Sequence, residues 1–310
     1  MVRSLRALVF CAGVVSIVSS PAAAAHRESG RVFMSGDVAL YMEVLGASPG
    51  VPLVVINGGP GSDHLHQHIT QPGTTSVWDT LAKKRRVVFY DQRGTGRSPL
   101  KPGQTCTVAD QLADLEAIRA QLGVEQIDVL GHSWGGFVAM AYGSRHPHRI
   151  RRLVLMDSAA PKLDETVLLF EHVFPEGTER VNAWSAEQAK GDPAARSKIL
   201  REYLGWLFYS PERRDAYLAQ LPSSPENTLI NQSLLEEASR LDLSPEIRQF
   251  SFPTLVIAGR HDFNVAPAVA YKIHKAIPGS TFVVFERSGH LPSYEEPAAF
   301  VRTLESFLAR

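Results

Sequence analysis

The 310-residue sequence predicts an α/β fold: a mostly parallel central sheet with helices on both faces and an inserted helical segment. Three observations predict it. Apolar runs such as Leu53-Val54-Val55-Ile56, Val87-Val88-Phe89-Tyr90 and Leu153-Val154-Leu155-Met156 alternate with helix-like stretches, the order of a parallel sheet covered on both sides. The run Gly131-His132-Ser133-Trp134-Gly135-Gly136 stands between the strand-like Ile127-Asp128-Val129-Leu130 and the helix-like Phe137-Val138-Ala139-Met140-Ala141-Tyr142. From about Ala160 to Phe250 the strand–helix rhythm stops, and aromatic residues (Phe170, Phe174, Trp184, Tyr203, Trp206, Phe208, Tyr209, Tyr217) accumulate.

Taken from the N-terminus, residues 1–25 read as a signal peptide: Arg3 and Arg6, an apolar centre from Leu8 to Val18, then Pro21-Ala22-Ala23-Ala24-Ala25. The apolar stretch is short and ends in Ser, Pro and Ala, so a cleaved leader is expected rather than a stable membrane anchor. The mature chain is then exported, periplasmic or extracellular. Cys11 has no lipobox before it, and its removal leaves Cys106 alone, so core packing replaces disulfides. Arg31-Val32-Phe33-Met34 and Val38 to Val44 flank Ser35-Gly36-Asp37 as a hairpin. Thr107 caps a helix with Asp110 three positions on; Val108, Leu112, Leu115, Ile118 and Leu122 form its apolar stripe, and Gly123 stops it. The last helix, about Pro297 to Ala309, puts Phe300, Leu304 and Phe307 on one face. The expected organisation is a first core part over 26–159, a helical cap over 160–250 and a second core part over 251–310.

Lysine plus arginine and aspartate plus glutamate number 32 each, so the formal charge is zero. No basic stripe recommends a nucleic-acid partner, and Lys83-Lys84-Arg85-Arg86 reads as a solvated turn. No cofactor and no metal are expected, since no His/Cys spacing matches a zinc site. His64-x-His66-x-His68 would put three imidazoles on one side of an extended segment; it is read as a loop beside the turn at residues 57–61, with a metal site the alternative.

The chemistry follows from the Gly-x-Ser-x-Gly turn. A serine at a sharp strand-to-helix turn presents its hydroxyl above the sheet edge. It needs a base, and the base needs an orienting acid, which in such a turn follow in the order acid, then histidine. Asp262 stands after the strand Thr254 to Gly259, and His290 after the strand Thr281 to Phe285. Both occupy loops at the carboxyl side of strands, where parallel sheets gather their chemistry. The expected catalytic set is Ser133 as nucleophile, His290 as general base and acid, and Asp262 as orienting acid. Asp157 is the second choice of acid. Asp91, with Arg93, Gly94 and Gly96, reads as a structural turn; His132 packs beneath the elbow, and His261 points away from Asp262. The backbone N–H groups of Trp134 and Gly59 form the expected oxyanion hole, with Gly58 the neighbouring alternative.

Gly58-Gly59-Pro60-Gly61, Asp91-Gln92-Arg93-Gly94-Thr95-Gly96-Arg97-Ser98, Gly131-His132-Ser133-Trp134-Gly135-Gly136, Gly259-Arg260-His261-Asp262 and Ser288-Gly289-His290 occur together and in order. In these motifs the chain resembles the proline iminopeptidase (prolyl aminopeptidase) family of the α/β-hydrolase fold, over nearly all of the sequence outside the middle segment. The resemblance implies a serine hydrolase with the same three catalytic residues, acting on small peptides or amides with a free amine. Two departures bear on the substrate. Asn57 replaces the family's histidine before Gly-Gly-Pro-Gly, and Pro225 to Gln232 lacks the Glu-x-His-Tyr-Phe-like segment whose glutamate binds the substrate amine. Glu171, Glu202, Glu226, Glu236 and Glu237 are the remaining candidates for that role. Ester or lactone hydrolysis is the runner-up activity, and a non-catalytic binding protein the third reading.

Overall fold

In the computed structural model, residues 30–190, 192, 194–221 and 227–309 are described. The expected leader, residues 1–25, and Glu226 lie outside them. An antiparallel hairpin, β1 (Arg31–Ser35) and β2 (Val38–Leu45), opens the sheet. It is followed by β3 (Leu53–Ile56), β4 (Val87–Tyr90), β5 (Ile127–His132), β6 (Ile150–Met156), β7 (Thr254–Gly259) and β8 (Thr281–Phe285). The spatial order is β1-β2-β4-β3-β5-β6-β7-β8. Pairings from β4 to β8 are all parallel, whereas β2 runs against β4.

The continuous apolar strands are explained by burial on both faces. Along β3, Val54 and Ile56 point into one core, and Leu53 and Val55 into the other. The first core is closed by α2 (Val108–Gln121), α3 (Trp134–Arg145) and α10 (Pro267–Ala276) through Leu115, Ile118, Phe137 and Val269. The second is closed by α1 (Val77–Ala82) and α12 (Pro297–Leu308), where Trp78 meets Phe300 edge to face at 5.8 Å. Helix α2 carries the expected capping box between Thr107 and Asp110. Its buried face also includes Asp114, because both carboxylate oxygens bind the Arg93 guanidinium, at 2.5 and 2.7 Å.

Between β6 and β7 the chain forms α4 (Phe170–Val173), α5 (Pro175–Ala189), α6 (Ala195–Leu207), α7 (Pro211–Leu218), α8 (Thr228–Ala238) and α9 (Ser244–Ile247). Phe170 stacks on Trp206 at 4.9 Å, and Phe174 on Trp206 at 6.3 Å. A second cluster joins Phe208 and Tyr217 to Tyr294 of the core, in α11 (Pro292–Glu295). The aromatics thus pack the insertion internally and against the loop that follows β8.

One expectation is corrected here. The basic cluster at residues 83–86 is solvated only in its first half. Arg85 turns inward to Asp128, 3.1 Å away, and Arg86 donates to the Gly50 carbonyl. Asp128 is buried in β5 and also takes Arg151 at 2.5 and 2.8 Å. A carboxylate buried in an apolar strand requires such partners.

Candidate active site

Ser133 sits between β5 and α3 with φ 55° and ψ −119°. This left-handed backbone costs on the order of 1–3 kcal/mol and persists only where its surroundings over-determine it. They do so here. The Ser133 N–H donates to Met156 at 3.0 Å, and its carbonyl accepts from Gly136 and Ala159 at 2.9 and 3.1 Å. Glycine at 135 is required by close approach: a Cβ there would stand 2.2 Å from the Ile56 carbonyl oxygen. The turn therefore locks the start of α3 against the end of β3. Ser133 makes no side-chain cap to α3, so the Trp134 N–H belongs to the helix's free N-terminal donors.

The loop after β3 lies on this elbow. A Cβ at Gly58 would come within 3.2 Å of Ser133 Cβ and 3.4 Å of His132 Nδ1. Gly59 adopts φ 126°, a conformation that glycine takes readily. Asn57 braces the turn: its Nδ2 donates to the Gly58 and Ser62 carbonyls at 2.8 and 2.9 Å, and its own carbonyl accepts from Gln92 at 3.0 Å.

Asp262 and His290 meet. His290 Nδ1 is 2.6 Å from Asp262 Oδ2, and both side chains are buried. Asp262 Oδ1 accepts the backbone N–H groups of Asn264 and Val265, each at 2.9 Å. That leaves the carboxylate fixed by three donors from its own turn and from the ring. The His290 loop is fixed in turn: its N–H donates to Leu207 at 2.7 Å, and its carbonyl accepts from His132 Nε2 at 2.9 Å. His132, adjoining Ser133, lies with its ring centroid 4.8 Å from that of His290. Burial first, then the neighbouring His290 and His66, hold His132 well below the usual imidazole pKa. It stays neutral and serves as a donor beneath the turn.

Among the described residues, no hydrogen bond joins the Ser133 hydroxyl to His290. His290 Nε2 faces Asn264 Nδ2 at 3.2 Å, and Asn264 Oδ1 accepts from the Tyr203 hydroxyl of α6 at 3.0 Å.

Asp157, the second-choice acid, is buried with φ 46° at the end of β6. Its Oδ1 accepts the Gly259 N–H at 2.8 Å. Burial, then the charge of Asp262, push its pKa well above the carboxylate range. The two acids are thus separated by environment, and the imidazole N–H goes to Asp262.

Sequence reasoning missed Asn57 as a brace, Asn264, Tyr203 and Glu295. Glu295 is fully buried, and burial raises its pKa to about 7. One oxygen accepts the N–H groups of Tyr209 and Ser210, at 2.9 and 3.0 Å; the other accepts that of Gly289 at 2.6 Å. It ties the turn between α6 and α7 to the residue before His290. Only the pairing of loops some eighty positions apart reveals this, and no local motif announces it.

The histidine run is not extended. Leu65–His68 forms a 3₁₀ turn, so His64 and His68 come together, ring centroids 5.3 Å apart, while His66 goes elsewhere. His64 Nδ1 contacts Asp91 Oδ1 at 2.5 Å and its Nε2 faces Glu43 at 3.4 Å; His68 Nε2 lies 3.6 Å from Glu43, while His66 meets Gln67. Burial opposes charge on His64, but its bonds to Asp91 and Glu43 win and raise its pKa. Glu43, His64 and His68 bring ligand atoms within 4.8 Å of one another, as do Asp157, Asp262 and His290. Both sets are internally paired, and in the first the Arg97 guanidinium already supplies a cation, 3.5 Å from His64 Nε2. Asp91 also accepts from Arg97 at 2.8 and 3.2 Å, which makes it a structural hub. Burial pushes the Cys106 thiol up to about 12, so it is no rival nucleophile.

Of the glutamates considered for a substrate amine, Glu202 binds Arg180 at 2.7 Å, Glu236 binds Arg240 at 2.5 Å, and Glu237 accepts the Val108 N–H at 2.9 Å. Glu171 is exposed.

The sequence profile of the α/β hydrolase fold family matches residues 51–297. The chain is 28% identical over 306 residues to a proline iminopeptidase of Neisseria gonorrhoeae, covering 87% of this chain and 93% of that one. The solved esterase RhEst1 from Rhodococcus sp. ECU1013 superposes with a TM-score of 0.74 at 24% identity, over 91% of this chain and 98% of that one; at that identity the likeness is one of fold. A thermophilic esterase from Thermogutta terrifontis gives a TM-score of 0.66 at 26% identity, over 88% of this chain and 93% of that one.

Proposed function

This chain belongs to the α/β hydrolase fold family, and from that premise we propose that it is an exported serine hydrolase acting through an acyl-enzyme, of proline iminopeptidase type. The observation that carries the reading is the strained elbow at Ser133 beside a buried His290–Asp262 pair. Ser133 Oγ attacks the substrate carbonyl as its proton passes to His290 Nε2. Asp262 holds the Nδ1–H and stabilises the imidazolium that forms. The oxyanion is met by the N–H groups of Trp134 and Gly59, the latter held in place by Asn57. His290 then protonates the leaving group, and a water delivered through the same nitrogen frees Ser133.

The proposed substrate is a short peptide or amino-acid amide with a free amine and a small or cyclic first residue, in keeping with the motifs and the likeness to proline iminopeptidases. The helices between β6 and β7 act as a cap that excludes water from the site. Export rests on the leader-like residues 1–25.

A second reading, ester or lactone hydrolysis, is favoured by one observation. Glu202, Glu236 and Glu237 are engaged by other groups, whereas an ammonium-binding carboxylate must be available to its ligand. Rates on prolyl and alanyl anilides, their N-blocked forms and short acyl esters separate the two. The aminopeptidase reading expects amine blocking to abolish turnover. Faster cleavage of butyryl esters than of every free-amine amide overturns it in favour of the esterase.

A further inference from the structure

We propose that Asn264 is a further residue of the reaction, holding the base nitrogen of His290 at rest and releasing it to Ser133 when substrate displaces Tyr203. The proposal rests on the serine-hydrolase reading and adds to it a route by which the helical insertion controls the base.

A neutral imidazole has one N–H and one acceptor nitrogen. His290 Nδ1 is committed as donor to the Asp262 carboxylate, so the only acceptor is Nε2. Asn264 Nδ2 stands 3.2 Å from it. The Nε2 lone pair selects the donor end of that amide, and Oδ1 at the far end then accepts from the Tyr203 hydroxyl at 3.0 Å. Turning the amide over would set Oδ1 against the Nε2 lone pair. Asn264 is also anchored through its backbone, whose N–H donates to Asp262 Oδ1. The residue therefore belongs to the same rigid turn as the acid, and only its side chain has to move.

While Asn264 donates to Nε2, the Ser133 hydroxyl has no base. Once Nε2 takes the serine proton, its N–H faces the amide N–H₂ with no lone pair between them, so the amide must turn away for the reaction to proceed. Tyr203 decides when it can. It lies on α6 among the aromatics of the insertion, edge-on to Phe170 at 6.4 Å and to Trp206 at 6.1 Å. A substrate group that reaches under the insertion and shifts Tyr203 removes the restraint on the amide. Small acyl groups that leave Tyr203 in place gain nothing from this. The contact thus favours substrates whose acyl or aryl portion is large enough to reach Tyr203.

The test is the rate at which a fluorophosphonate labels the full chain, followed by intact mass, for the unaltered protein, Ser133→Ala, Asn264→Ala and Tyr203→Phe. Circular dichroism checks that each is folded. Loss of one competing hydrogen bond should raise the labelling rate of Asn264→Ala about 3- to 10-fold, with Tyr203→Phe faster by a smaller factor and Ser133→Ala unlabelled. If Asn264→Ala labels no faster than the unaltered protein while Ser133→Ala stays unlabelled, the restraint is refuted and the serine reading stands. If Ser133→Ala labels normally, it is the serine reading that fails. Should Asn264→Ala not fold, Tyr203→Phe decides alone, and an unchanged rate refutes the restraint.

Discussion

His290 Nδ1 and Asp262 Oδ2 lie 2.6 Å apart in a site that water scarcely reaches, while Asp157, at the end of the neighbouring strand, sends its own Oδ1 to the Gly259 N–H instead. Two acids at adjacent strand ends have been given different work by their surroundings.

The first prediction separates them. Asp262→Asn removes the acceptor that fixes the ring tautomer, and kcat should fall on the order of 10⁴-fold with the fold retained. Asp157→Asn keeps an oxygen to accept the Gly259 N–H and leaves the His290–Asp262 pair untouched, so kcat should stay within about fivefold of the parent. Steady-state rates on one activated ester check both. Equal losses in the two variants would show that the acid has been misassigned.

The stability of Asp157→Asn should carry a pH signature. A folded pKa raised above the unfolded value favours folding below the unfolded pKa, and that contribution is lost as pH rises towards the folded pKa. Asp157 is shifted in that direction, by burial and then by Asp262. As pH rises above about 4, the parent should therefore lose stability relative to Asp157→Asn. Urea unfolding at pH 5 and pH 8 gives the comparison, and a difference that is constant with pH contradicts it.

How much of this was legible beforehand varies with the range of the interaction. The capping box of α2, the β1–β2 hairpin and the elbow have local signatures: Thr107 and Asp110 are three residues apart, and the glycines of the elbow flank Ser133 closely, although those at 135 and 136 answer clashes with Ile56 and Ser158. The pairing of Asp262 with His290 could be anticipated because both follow parallel strands that end at one sheet edge. Asn264 and Glu295 could not. Their partners, Tyr203 and the Tyr209–Ser210 turn, come from the insertion, whose helices carry no pattern that fixes where they dock. The inward turn of Arg85 likewise depended on a partner, Asp128, that strand periodicity had counted only as an interruption. In the histidine run only the spacing misled: Leu65–His68 closes a 3₁₀ turn, which brings His64 and His68 together at Glu43 and sends His66 to Gln67.

Glu295 should prove important to stability. Glu295→Ala leaves the N–H groups of Tyr209, Ser210 and Gly289 without their acceptor. At about 1–3 kcal/mol for each buried orphan, less where water enters, a loss of roughly 3–5 kcal/mol is expected. Denaturant titration measures it. A loss below about 1 kcal/mol would mean that this carboxylate does not join the insertion to the His290 loop.

Asn57 offers a separate test of the proposed oxyanion turn. Asn57→Ala releases the Gly58 and Ser62 carbonyls and lets Gly59 drift from its φ of 126°. A displaced oxyanion donor costs about 10²–10³ in kcat when lost entirely, so a fall of about 10- to 100-fold is expected, with KM little changed. A change confined to KM would place Asn57 in substrate binding instead.

The central claim, that Ser133 becomes acylated with His290 as its base, is tested most directly by rapid-quench mass spectrometry of the full chain mixed with an activated ester. The expected result is a covalent acyl adduct on the peptide containing Ser133, formed in a burst and absent from Ser133→Ala and His290→Ala. Turnover that survives in folded Ser133→Ala, or an adduct mapped to another residue, contradicts the account.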